Sequence, residues 1–455
     1  MKKQALYLIL SFSLFYSCKK DQDPLSLNEA YSGGETTVFV SGPTAYTFAL
    51  SNLDATGLTK HLEADAIFSQ HFVTAPATNF GGLGPLFNQN SCESCHLRNG
   101  RGNPMLYDGD IQTGGLLKIG LDAQDVHGMP LPVPNYGGQI QTKAIFGQDP
   151  EAVISFTEWS QLLTYSDGSQ VQLNKKLYQL STTYTSAPSN YNSSFRMAPP
   201  VFGLGLLEAI AEADILQNED PNDNNGDGIS GKANWVYNPK TNLVELGRYG
   251  WKASNATAEQ QSAAAANEDM GLSNSYFPNE NCSAQSNCQT GLQSNLDLST
   301  ENLELMAFYF QTLAVPASRN VESEAFKAGK IIFFEAKCNA CHSPTFTTSY
   351  HPISSLSYQN IHPYSDFLLH DMGLDLADNR REALAEGSEW RTPPLWGLGL
   401  SKVVNPKVQF LHDGRAATIE EAILWHGGEA ENSRNFVLQL SLEQRNKLLY
   451  FLNSL

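Results

Sequence analysis

The 455-residue sequence predicts a mainly α fold of two domains, each built around one copy of a repeated five-residue motif, with a β-containing insertion in the N-terminal half. Three observations carry this. Cys92-Glu-Ser-Cys-His96 and Cys338-Asn-Ala-Cys-His342 share the pattern Cys-x-x-Cys-His and begin 246 residues apart, which leaves room for a domain around each. Apolar residues recur near helical spacing before the second motif, where residues 322–337 place Phe326, Ile332, Phe333 and Ala336 on one face. Residues 100–200 instead hold many Gly, Thr, Tyr and Ser with weak alternation, clearest over 170–180, and predict hairpins.

Taken in order, the chain opens with Lys2 and Lys3, an apolar stretch over residues 5–16, and then Ser17 and Cys18, the pattern of an export signal. The stretch is short for a membrane span, and Lys19, Lys20 and Asp21 follow at once. Residues 1–17 are expected to be a signal peptide, with lipid then added to Cys18 as in a bacterial lipoprotein. A plain secretory cut nearby is the alternative. This places the protein at the periplasmic face or cell envelope, with the membrane met through a lipid anchor only. Residues 18–45 are polar with scattered Gly and Pro and read as a tether. An N-terminal domain is expected over 46–315, with helices at 57–71, 205–217 and 301–314. Pro316 closes the last of these and marks the boundary to a C-terminal domain over 316–455. There the helix at 322–337 runs into the second motif, and Thr418 with Glu421 and Ser441 with Gln444 read as capping boxes opening two further helices.

Composition narrows the function classes. Hydrophobic residues make up 41%, charged residues 17%, and the mean hydropathy is -0.31, values of a globular chain. The net charge of -18, from 47 acidic against 29 basic residues, repels phosphate backbones and argues against nucleic acid as a partner.

The cysteines decide the chemistry. Random placement of seven cysteines and ten histidines in this chain gives about 0.002 Cys-x-x-Cys-His motifs, so two are no accident. The pattern is the attachment signal of a c-type haem: the two thiols form thioethers to the porphyrin, and the adjacent histidine reaches the iron. A thioredoxin-like dithiol and a zinc site also use Cys-x-x-Cys pairs, but neither requires the following histidine. The sequence therefore predicts two covalently bound haems, held by Cys92, Cys95 and His96 and by Cys338, Cys341 and His342, in two cytochrome c-like domains. Cys282 and Cys288, five residues apart in an oxidising compartment, are expected to form a local disulfide, with free thiols as the alternative.

Two further patterns concern metals. Glu268-Asp-Met270-Gly-Leu272 and His370-Asp-Met372-Gly-Leu374 share Asp-Met-Gly-Leu, one after each haem motif, and methionine is a common sixth haem ligand. Met372 is the first choice for the second haem, with His370 as competitor; Met270 serves the first haem or packs in the core. Asp223, Asn225 and Asp227, followed by Gly228, resemble the first half of a calcium loop, although Asn234 stands where the bidentate glutamate belongs; a solvated acidic turn is the alternative.

Longer stretches resemble a known family. Gly82-Leu-Gly-Pro-Leu-Phe-Asn-Gln-Asn-Ser-Cys-Glu-Ser-Cys-His96, Asn225-Gly-Asp-Gly-Ile-Ser-Gly231, Gly247-Arg-Tyr-Gly-Trp-Lys-Ala253 and Leu369-His-Asp-Met-Gly373 are similar to segments of the bacterial di-haem oxidoreductases, described as peroxidases and also as thiol oxidoreductases. Arg391-Thr-Pro-Pro-Leu-Trp-Gly397, Phe410-Leu-His-Asp-Gly-Arg415 and Ile423-Leu-Trp-His-Gly-Gly-Glu429 extend the match, which runs from about residue 60 to the end. The C-terminal segments also resemble the wider di-haem cytochrome c peroxidase and MauG group. The resemblance implies a division of labour, in which the His96 haem meets hydrogen peroxide and the His342 haem collects electrons from a small redox donor such as a cytochrome.

Peroxide reduction also needs a distal acid or base. Glu268 is the leading candidate, ahead of His127 and Glu208. Arg391 and Arg415 are candidates for binding haem propionates, with carbonyl clamps or solvated salt bridges as the alternative. His412 reads as a hydrogen-bonding residue and not an axial ligand, and one of Trp390, Trp396 and Trp425 is a candidate relay between the haems. The competing functions are a pure electron carrier and an oxidase of a thiol or protein partner.

Overall fold

The computed structural model describes residues 28–186, 189–281 and 295–455. The signal peptide, Cys18 and the Cys282–Cys288 pair lie outside the described residues. Among the described residues there are eleven α-helices and six two-stranded antiparallel sheets, so the fold is mixed, not mainly α as the sequence predicted. The discrepancy lies in very short strands. Leu86–Phe87 pairs with Lys143–Ala144, and Leu369–Asp371 with Glu389–Arg391, pairings between segments far apart that leave no alternation in sequence. The one long hairpin, Ala152–Thr164 with Gln170–Thr183, falls in the expected insertion.

Local chemistry accounts for the helices that were anticipated. Ala55–Ser69 is capped by Asp54, whose side chain accepts the Gly57 N–H, and Thr300–Thr312 is capped by Ser299. Glu324–Glu335 is capped by Ser323 and leads into the second motif. Ser441 and Gln444 form the expected reciprocal box at the start of Leu442–Ser454. Thr418 caps Ile419–Leu424, but the Glu421 carboxylate turns to the Ala417 N–H, so that box is not reciprocal. The expected helix at 205–217 breaks into Leu204–Ala209 and Glu212–Leu216, because Ile210 is extended and bridges to Thr348.

The expected tether to residue 45 also needs correction. From Glu29 onward the segment is packed: Glu29, Ser32 and Thr36 are buried, and Val38 bridges to Pro316. Its polar groups find distant partners, as Ser32 Oγ does with Ser318 Oγ at 2.8 Å, and composition cannot reveal these. The largest core cluster runs from Ala45 to Val404 and takes residues from both sides of the expected boundary at 315, including Tyr309, Val315, Phe367 and Trp396. A second cluster joins the C-terminal helices to Tyr165 and Leu173 of the inserted hairpin. No described helix is long and apolar enough to cross a membrane.

Candidate functional site

Each motif folds as a single tight turn. Ser91 caps the turn Cys92–Cys95, and the His96 N–H donates to the Cys92 carbonyl at 2.9 Å. The second motif repeats this, with the His342 N–H on the Cys338 carbonyl at 2.9 Å. The turn places both thiols and the imidazole on one wall, and both motifs open on the same continuous cavity of about 420 Å³.

The four thiols are not joined in disulfides. Burial pushes Cys92 and Cys338 up to about 12, opposite to the low pKa of a catalytic dithiol. Among the described residues no group of three or more His, Cys, Asp or Glu side chains could hold a metal, which leaves the zinc alternative without a ligand set.

Both motif histidines are oriented for iron. His96 Nδ1–H donates to the Pro199 carbonyl at 2.7 Å, and His342 Nδ1–H to the Tyr364 carbonyl at 2.8 Å. A carbonyl can only accept, so Nδ1 carries the proton. Burial holds both rings at about 4, hence neutral, and leaves the Nε2 lone pair free to ligate.

A third cavity histidine, His426, has the same arrangement. Its Nδ1–H donates to the Ala422 carbonyl at 2.7 Å, burial lowers its pKa, and its charge would act on His342. Sequence reading missed it, since no spacing motif marks it; its place just past Ile419–Leu424 makes the preceding helical carbonyl its acceptor. His370, weighed as a ligand, has both ring nitrogens taken: Nε2 by Asp366 at 2.8 Å and Nδ1 by Glu429 at 2.7 Å. Burial would lower its pKa, but Asp366 and Cys341 hold it well above the usual value.

The methionines also line the cavity. Met270 is a buried core residue packed with Leu83 and Met306, whereas Met372 is half-buried. Their shared Asp-Met-Gly-Leu is not a structural repeat, because Met270 ends the helix Ala258–Met270 and Met372 follows a strand. The common element is turn chemistry: Gly271 and Gly373 both adopt positive φ.

Glu268 lines the cavity and is ion-paired with Lys118, also at the wall. Asp269, not anticipated, is half-buried near Cys92 and Cys95, and desolvation raises its carboxyl to about 6. His127 stacks on Tyr237 at an exposed position, and Glu208 accepts from Gln311 at 2.8 Å; neither lines the cavity. His412 lies flat on Trp390, with centroids 3.7 Å apart. Trp390 and Trp396 line the cavity, as does Trp251, which was not anticipated, while Trp425 lies in the core beneath Arg415. The carboxylate and amide oxygens of Asp223, Asn225 and Asp227 take main-chain N–H groups of their own exposed loop, the pattern of an acidic turn.

The cavity fits haem in its cations as well as its ligands. Arg391 and the unanticipated Arg101 line it, and each bonds only main-chain carbonyls among the described residues: Arg391 that of Gly250 at 3.0 Å, Arg101 that of Gln409 at 2.9 Å. Burial lowers both to about 10. A buried guanidinium without a carboxylate calls for an anion, which a haem propionate provides. Arg415 is different, because Asp413 at 2.8 Å already meets its charge. Walls, thiols, free imidazole nitrogens and cations thus fit haem at each of the two motifs.

No curated protein matches the chain. The family model described as "Di-haem oxidoreductase, putative peroxidase" matches residues 27–455, and with both motifs facing one cavity the chain belongs to this di-haem oxidoreductase family.

Proposed function

We propose that the protein is an exported c-type cytochrome oxidoreductase that reduces hydrogen peroxide at the His96 site with electrons received through the His342 site. The observation that carries the reading is an asymmetry between the two sites. In the same cavity as His342, and near enough to act on it electrostatically, is His426, a second neutral imidazole with a free Nε2, which suits a saturated electron-transfer centre. Apart from His96 itself, of the other cavity histidines His370 has both ring nitrogens bonded to carboxylates and His412 lies flat on Trp390, and no further imidazole with a main-chain-bonded Nδ1 lines the cavity among the described residues. On this reading His426, not Met372, would join His342 in holding the second iron.

When bound, haem supplies a one-electron iron couple at each site and, where a coordination position is open, a place for peroxide. The residues supply the rest. Reduction of one peroxide to two waters consumes two electrons and two protons. The Glu268 carboxylate lines the cavity, is 42% exposed to solvent and is held at the wall by Lys118, the place a proton donor to peroxide requires. Arg101 and Arg391 anchor propionates. Cys18 carries the lipid anchor.

The test is catalytic. The chain, matured with haem and brought to the half-reduced state, is expected to consume hydrogen peroxide with a reduced cytochrome or dye as donor, and H96A to abolish turnover. A second reading follows from Met270, a buried thioether at the cavity wall: if it saturates the first haem, the protein is an electron carrier. Absence of turnover, with both irons low-spin, would establish that reading instead.

A further inference from the structure

The N-terminal segment brings one charged residue into the interior, Glu29, and its partners lead to His342. The Glu29 carboxylate pairs with Lys330 Nζ and accepts the Tyr364 hydroxyl, and all three side chains are almost wholly buried. The carbonyl of this same Tyr364 accepts His342 Nδ1–H at 2.8 Å. Lys330 lies on Glu324–Glu335, the helix that leads into Cys338. One turn further along this helix, the Phe333 ring meets Tyr364 at 5.7 Å and His342 at 6.3 Å between centroids. The segment is pinned beside the site, since the Ser32 carbonyl accepts the His362 N–H at 2.8 Å and Ser32 Oγ meets Ser318 Oγ.

We propose that Glu29 is a positioning residue for the His342 haem: through Tyr364 it fixes the carbonyl that orients the proximal histidine, and its buried charge, set against that of Lys330, tunes the potential of that iron. The inference rests on haem attachment at Cys338–His342. Burial raises the Glu29 carboxyl, and Lys330 and Tyr364 pull it back down. Charges in a weakly polarisable interior act over several ångströms, so an anion favours oxidised iron and a cation reduced iron. The second Glu29 oxygen has no hydrogen-bond partner among the described residues, so the carboxylate is only partly compensated.

The experiment is a redox titration of the two-haem holoprotein followed by visible absorption, with the His342 haem identified as the one lost in C338A/C341A. E29Q is expected to raise its midpoint potential, K330M to lower it, and E29D to stay close to wild type, with the other haem unmoved in all three. Shifts of E29Q and K330M in the same direction, or none, would overturn the proposal, because a merely structural role does not produce opposite signs. If E29Q yields no folded holoprotein, K330M decides alone: a lower potential supports the proposal, and an unchanged or higher one overturns it. A wild-type chain without haem at Cys338 and Cys341 would sink the di-haem reading too, before any potential is measured.

Discussion

At the scale of the residue, the most informative groups are those whose protonation is set by one neighbour and by burial. A main-chain carbonyl fixes the Nδ1 proton of His96, His342 and His426, and burial keeps each ring neutral. H426A is therefore expected to turn the second haem from low-spin to high-spin while M372A leaves it low-spin, as read by absorption and electron paramagnetic resonance. Glu151 carries a pH prediction away from the haems. It is fully buried, and burial raises its carboxyl to about 9, against the pull of the Gln141 N–H at 2.7 Å. The folded state keeps this proton between about pH 4.5 and 9, where the unfolded chain has released it. Its contribution to stability is thus fully present below about pH 4.5 and is lost as pH rises toward 9, by about 1.4 kcal/mol per unit. Thermal unfolding of E151Q should match wild type near pH 5 and exceed it at pH 8; an equal difference at both would contradict the shift.

At the scale of the element, the helix Glu324–Glu335 illustrates how a haem motif is held. It packs against the terminal helix Leu442–Ser454 at Gly329, where an added Cβ would come within 2.0 Å of the Lys447 carbonyl. G329A gains about 1 kcal/mol of helix propensity. The clash is with backbone and cannot be relieved by a rotamer, so overpacking of about 1–3 kcal/mol or more wins. A lower melting temperature is expected, and a higher one would show that the helices can separate without loss. The periodicity of this helix was legible in the sequence, and the structure adds its Ser323 cap. The break at Ile210 was not, because it comes from a bridge to Thr348 and no local residue choice marks it.

At the scale of the whole molecule, the two motifs share one interior. A buried ionic network reinforces this: Asp378 pairs with Arg196 and Lys252, both at 3.1 Å, and Glu382 pairs with Arg196 at 2.7 Å. Removing one member leaves buried cations uncompensated, so D378N should cost about 3–5 kcal/mol in denaturant unfolding. A loss below 1 kcal/mol would mean that water reaches the network. With a core that crosses residue 315, the holoprotein should unfold in one transition by absorption and circular dichroism alike; two separated transitions would restore the picture of independent halves.

The sequence by itself determined the family and with it haem as the cofactor, and it carries two Cys-x-x-Cys-His motifs, the spacing of thiols and imidazole that thioether attachment would demand, written in five consecutive residues. It also marked several helix starts, where a capping side chain and the main-chain N–H that donates to it lie within four residues. What only the tertiary structure decided is everything that joins distant segments: that both motifs face one cavity, that His426 lines it together with His342, that His370 is held by Asp366 and Glu429, and that Glu29 belongs to the interior. Each of these depends on where the chain returns in space, and burial, which sets the charge and the availability of every such group, exists only once it has done so.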